Sequence, residues 1–211
     1  MIKKVLVSQP APTTEKSPYH DIAQNLGVEF TFQPFVKVEG LEAREFRSQK
    51  VNILDHTAIV FNSRNAIEHF FHLCKELRVT LPEDMKYFGI SEKVILYIQK
   101  FVQYRKRKVF FGSSGHWPEL LTVMAKHKTE KYLFPLSEGT SLEIAGQLDQ
   151  KKIKHTECAM FRTVQADLDE DTFKNYDMIL IFTPVGVQSL LSNFPNFNQG
   201  DIRLGCFGDA T

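Results

Sequence analysis

Only three cysteines occur in 211 residues, Cys74, Cys158 and Cys206, far apart and with no CxxC pair. An odd, scattered set excludes a disulfide framework and a thiolate zinc site, and all three are expected as small core residues. Excess charge is lacking too: 26 Lys and Arg stand against 25 Asp and Glu, a net of +1. Dedicated nucleic-acid binders neutralise many phosphates with a strong basic surplus, so no nucleic-acid partner is expected and any polyanion must be met by local charge. No apolar run approaches the roughly 20 residues of a membrane span. Lys3 and Lys4 precede an apolar stretch that Gln9 and Pro10 cut too short for a signal-peptide core. A cytoplasmic protein with no membrane partner follows as the expectation. Neither G-x-S-x-G nor GxGxxG is present, and GSSG at 112–115 lacks the Walker spacing and lysine, reading as a surface turn. His69 and His72 share a helix face at i, i+3 but have no third ligand in view, so no metal is expected.

What the chain does have is a repeat. Residues 57–71 (TAIVFNSRNAIEHFF) and 177–194 (DMILIFTPVGVQSLLSNF) each run from an apolar strand through a polar elbow into an amphipathic helix. Each is followed by a similar second piece, 84–93 (DMKYFGISEK) and 201–211 (DIRLGCFGDAT). A further set precedes each copy along the chain: strand 3–8, helix 18–27 and extended run 28–38 correspond to strand 131–135, helix 141–152 and extended run 153–164. Self-similarity in register points to two related halves.

With 43% hydrophobic residues the chain can build real cores. Strands at 58–61, 86–89, 108–111 and 132–134 alternate with helices at 65–77, 92–104, 118–127 and 141–152, which predicts an α/β fold of two doubly wound parallel-sheet domains joined by two linker strands. The expected division is 1–34 and 166–211 for an outer domain, 41–157 for an inner one, and 35–40 and 158–165 for the linkers. The outer half has fewer elements than the inner, so an outer domain shortened at its C-terminus is expected, with part of one apolar face uncovered.

Ligands of such sheets bind at the carboxyl ends of the strands, where helix-start N–H groups and hydroxyls suit carboxylates or phosphates. The residues falling there are Ser8, Gln9, Asn62, Ser63, Arg64, Ser91, Lys93, Ser137, Glu138, Gly139, Thr183, Pro184, Val185, Gly186 and Thr211. Ordinary N-capping needs the same residue types. Several such elbows in one chain favour a ligand role, and Asn62, Ser63, Ser91, Ser137 and Thr183 are expected to line one cleft between the halves. YRKRK at 104–108 reads as a solvated helix end, where cations suit the macrodipole.

The motifs VLVSQP, IVFNSRNAIEHFF, YLFPLSEGTSLEIAGQL, MFRTV, IFTPVGVQSL and FGDAT, in that order, resemble the uroporphyrinogen-III synthase family over essentially the whole chain. The resemblance implies a two-domain, twin-linker protein that acts as a monomer on a linear tetrapyrrole, hydroxymethylbilane. Such a protein expels the substrate's hydroxyl as water and closes the macrocycle with inversion of ring D, using no metal or cofactor. The elbow residues above and Phe161 are then the implied substrate contacts. Several depart from the family pattern: Phe161 stands where the family has a linker tyrosine, Lys93 and Asn62 where it has threonine, Gln9 where it has arginine and Val185 where it has serine. No catalytic residue is assigned. The alternative reading is a non-catalytic two-domain small-molecule binding or sensor protein on the same fold.

Overall fold

The computed structural model describes residues 2–14, 16–169, 173, 175–208 and 211. In chain order the first elements are β1 (Lys4–Val7), α1 (Pro18–Leu26), β2 (Glu29–Phe32), β3 (Val36–Gly40), α2 (Ala43–Ser48), β4 (Ala58–Phe61), α3 (Arg64–Glu76), β5 (Lys86–Gly89) and α4 (Glu92–Ile95). There follow β6 (Val109–Phe111), α5 (Trp117–Met124), β7 (Tyr132–Ser137), α6 (Ala145–Gln150), β8 (His155–Gln165), β9 (Met178–Ile181), α7 (Pro184–Asn193) and β10 (Arg203–Cys206). They fall into two compact units, an inner one of Val38–Arg162 and an outer one of Met1–Lys37 with Thr163–Thr211.

The inner unit holds a six-stranded sheet in the order β3-β8-β7-β4-β5-β6. β8, β7, β4, β5 and β6 are parallel neighbours. The edge strand β3 runs against β8, since bonds flanking the pair join Phe35 to Ala166 and Leu41 to Met160. Strand alternation sends Ile59, Phe61, Tyr87 and Leu133 into a core under α3 and α4. The opposite set, Ala58, Val60, Phe88, Tyr132 and Phe134, meets Leu120, Leu121 and Met124 of α5 and Leu148 of α6. Helices therefore cover both faces, as a parallel sheet requires. Gly89 is needed at the end of β5 because a Cβ there would stand 2.4 Å from the Ile95 Cβ, where α4 packs down.

The outer unit repeats this plan with parallel strands in the order β10-β9-β1-β2. With β7-α6-β8 matched to β1-α1-β2, and β4-α3-β5 to β9-α7-β10, the order β8-β7-β4-β5 is the same as β2-β1-β9-β10. The α/β class with parallel sheets and the internal repeat are thus as the sequence reading has them. α7 covers one face, with Leu6, Ile179, Ile181 and Leu190 around Phe35 and Phe173. On the other face, among the described residues, lies α1 alone, closed by Gly27 in the left-handed region (φ 63°). No counterpart of α5 occurs among the described residues of this unit, and a groove of about 670 Å³ runs beside α1 over Val5, Phe30, Met178, Leu180 and Phe207.

Several expectations need correction. The helix expected over 92–104 is one α-turn, α4, followed by a 3₁₀ stretch, Leu96–Lys100. The basic run at 104–108 consequently caps no helix dipole; it forms a loop and a 3₁₀ turn, with Arg105 3.7 Å from Glu83. α6 is six residues rather than twelve, and α2 was not foreseen. Cys74 and Cys158 are buried, but Cys206 is exposed, because it lies on β10, an edge strand of the outer sheet. No helix among the described residues is long and apolar enough to cross a membrane.

Candidate functional site

Strand order reverses between β4 and β7 in the inner unit and between β1 and β9 in the outer one, and such switch points open a crevice at the carboxyl ends. In the inner unit Asn62, Ser63 and Arg64 follow β4, Ser91 and Lys93 follow β5, and Ser137, Glu138 and Gly139 close β7. Ser63 is extended and its hydroxyl accepts from Ala66 N at 3.1 Å, capping α3. The N–H groups of Arg64 and Asn65, first in α3, have no carbonyl four residues back within the helix to bind. Thirteen residues of α3 stand behind them, so the positive end of its dipole faces the same side. Ser91 caps α4 in the same way, its hydroxyl 3.4 Å from Val94 N, but the α-turn behind it is short. Arg64 and Lys93 are exposed, Arg64 lying 5.5 Å from the centre of the Tyr97 ring.

The β7 elbow is more self-contained. Glu138 N–H bonds Phe161 O at 2.7 Å and Thr140 N–H bonds Ser137 O at 3.1 Å, so two donors are engaged within the protein. Gly139 takes a positive φ of 74°, which lets the chain turn at once after the strand. Phe161 sits in β8 beside Ser137, 7% exposed, its ring stacked on His69 at 5.3 Å. Gly40 on β3 permits that stack, since a Cβ there would meet His69 Nδ1 at 2.9 Å. Burial holds the His69 pKa below the usual imidazole value, with Glu68 opposing and His72 reinforcing the shift. His72 instead pairs with Glu76 at 3.3 Å, and no cluster of metal-ligating side chains exists among the described residues.

In the outer unit Thr183 caps α7, its hydroxyl accepting from Gly186 N at 3.1 Å. Pro184 at the first helical position has no N–H, so Val185 supplies the remaining donor of that turn. Ser8 is buried, its N–H bonded to Leu180 O and its carbonyl to Phe35 N, whereas Gln9 is exposed. Thr211 N–H bonds Gly208 O at 3.1 Å; Asp209 and Ala210 lie outside the described residues. Sequence reading placed the elbows at strand ends but passed over His69 and Arg162. The first was visible only as half of an i, i+3 histidine pair, the second only as a polar residue inside an extended run.

What this describes is a duplicated parallel α/β protein whose anion-suited helix starts stand at the carboxyl ends of both sheets. The chain belongs to the uroporphyrinogen-III synthase family: the family described as Uroporphyrinogen-III synthase HemD matches residues 17–211. No curated protein matches the chain. Among solved structures it is similar to uroporphyrinogen-III synthetase from Helicobacter pylori, with TM-score 0.56, 10% identity, and 99% of this chain and 85% of that one covered. A mutant uroporphyrinogen III synthase from the extremely thermophilic bacterium Thermus thermophilus gives TM-score 0.54 and 13% identity, covering 98% of this chain and 85% of that one. At such identity the structural likeness speaks for the fold.

Proposed function

We propose that this chain is an active uroporphyrinogen-III synthase, which cyclises hydroxymethylbilane with loss of water and inversion of ring D. The observation that carries this, beside family membership, is the set of capped helix starts at strand ends: Ser63 with the Arg64 and Asn65 N–H groups, and Thr183 with that of Val185. These are neutral or singly charged donors, suited to a substrate rich in carboxylates without a large positive surface. Holding a flexible linear tetrapyrrole in a ring-closing geometry supplies most of what such a reaction needs, because orientation alone is worth several kcal/mol of barrier. Assistance to the departing hydroxyl requires one proton donor; His69 beside Phe161 and Glu138 in the β7 elbow are titratable groups at this end of the inner sheet, whereas Arg64 on α3 keeps its proton and can only orient charge.

The test is incubation with enzymatically generated hydroxymethylbilane, then oxidation and isomer analysis of the porphyrins. Type III product is the expected result. Type I alone, the product of spontaneous closure, overturns the synthase reading in favour of a binding protein on the same fold.

A further inference from the structure

We propose that Arg162 is a positioning residue for the elbow after β7: it ties that elbow to α2 and masks the Glu138 carboxylate from an anionic substrate. The proposal rests on the synthase reading above.

The β7–β8 pairing slips by one residue at this point. Leu136 pairs with Ala159 but Ser137 pairs with Phe161, leaving Met160 as the extra residue of a bulge. Bulges bend a strand and re-aim its side chains. Here the slip brings Phe161 O onto Glu138 N–H and sets Arg162 beside Glu138. The guanidinium then forks. Nη2 donates to Glu45 Oε1, and Nη1 lies 3.6 Å from Glu138 Oε2.

The two arms differ in stiffness. Glu45 is fixed from behind, since its other oxygen accepts from Glu42 N–H at 2.9 Å in the capping box of α2. The bond from Arg162 holds the Glu45 carboxyl below the usual carboxylate range, and the Glu42 N–H adds to this. The arm toward Glu138 is an ion pair beyond hydrogen-bonding distance, so α2 anchors the guanidinium and the guanidinium in turn restrains the elbow. Glu39, Glu42 and Glu45 share with Arg44 and Arg162 a hollow of about 630 Å³ on this side. Local charge is therefore acidic, and an unmasked Glu138 next to Ser137 and Gly139 repels carboxylates at the place where the elbow is needed to receive them. A half-exposed ion pair adds little to stability, so loss of Arg162 should register in substrate handling before it registers in folding.

The experiment compares wild type, Arg162→Met, Arg162→Lys, Glu138→Gln and the Arg162→Met/Glu138→Gln double variant in the full chain. Steady-state kinetics, the type III to type I ratio and thermal melting are measured on each. Arg162→Met should raise KM about fivefold with kcat little changed and lower the type III share. Lysine should restore part of the loss, keeping the charge without the fork. The double variant should recover toward wild type, because the charge that Arg162 masks is then gone. A double variant no better than Arg162→Met, or an Arg162→Met protein with unchanged KM and isomer ratio, overturns the proposal while leaving the synthase reading intact. If Arg162→Met fails to fold, Arg162→Lys and Glu138→Gln decide alone: wild-type KM in Arg162→Lys together with a raised KM in Glu138→Gln overturns it. Wild type that makes only type I overturns the function itself, a distinguishable result.

Discussion

Tyr132 shows what a single polar atom does in this core. Its ring is fully buried, and its hydroxyl is shared between Met124 O at 3.2 Å, the last carbonyl of α5, and His127 O at 3.0 Å, in the 3₁₀ turn that follows. Burial first, and the Glu130 charge second, push its pKa up, so it stays a neutral donor. Tyr132→Phe should destabilise the chain by about 1–2 kcal/mol, read as a shift in urea midpoint at constant slope, because two C-terminal carbonyls lose their partner. A change below a few tenths of a kcal/mol would mean that water replaces the hydroxyl there. Phe161→Tyr is a different case: it supplies the linker phenol that the sequence resemblance implies at this position, so kcat/KM should hold or rise. Ser63→Val and Thr183→Val should each lower kcat/KM and cost about 1 kcal/mol as lost helix caps. Steady-state rates that fall for the tyrosine variant and stay level for the valines would reverse these roles.

At the scale of elements, the strands were the most legible part. Fully buried runs such as AIVF of β4 and the start of YLFPLS in β7 have no polar interruption, and elbow residues mark their ends. Helix lengths were less so, because the apolar spacing of 92–104 continues while the backbone tightens to 3₁₀ after Ile95. α2 escaped notice since its N-cap is Glu42 rather than Ser or Thr and Phe46 is its one buried residue. The Arg162 fork was illegible for another reason: a bulge sets it, and no local pattern in MFRTV announces a one-residue slip against β7. Gly89→Ala tests how tightly one elbow is built. Its Cβ would overlap Ile95 and come within 3.2 Å of Ser91 O, so the variant should lose about 2 kcal/mol or more and move the Ser91 cap. Thermal melting unchanged within a degree would show that α4 yields at no cost.

For the molecule as a whole, the inner unit is an insertion between β2 and β9 of the outer one, bounded by the adjacent strands β3 and β8. A fragment of residues 38–162 carries its own two-faced core and neighbouring ends, and should fold alone with a cooperative melt. A non-cooperative fragment would show that the outer unit props it. The nesting also sets an order of events during synthesis. Lys4 N–H binds the Asp177 carboxylate across 173 residues, so β1, α1 and β2 leave the ribosome long before β9 exists to pair with them. Closing so long a loop from a random coil costs about 1–2 kcal/mol more than closing the shorter gap left once the inner unit has folded. The inner unit is therefore the clasp that brings the outer strands together. Until residue 177 is made, the apolar faces of β1 and β2 wait uncovered, and a nascent chain paused in that interval is the form most exposed to aggregation.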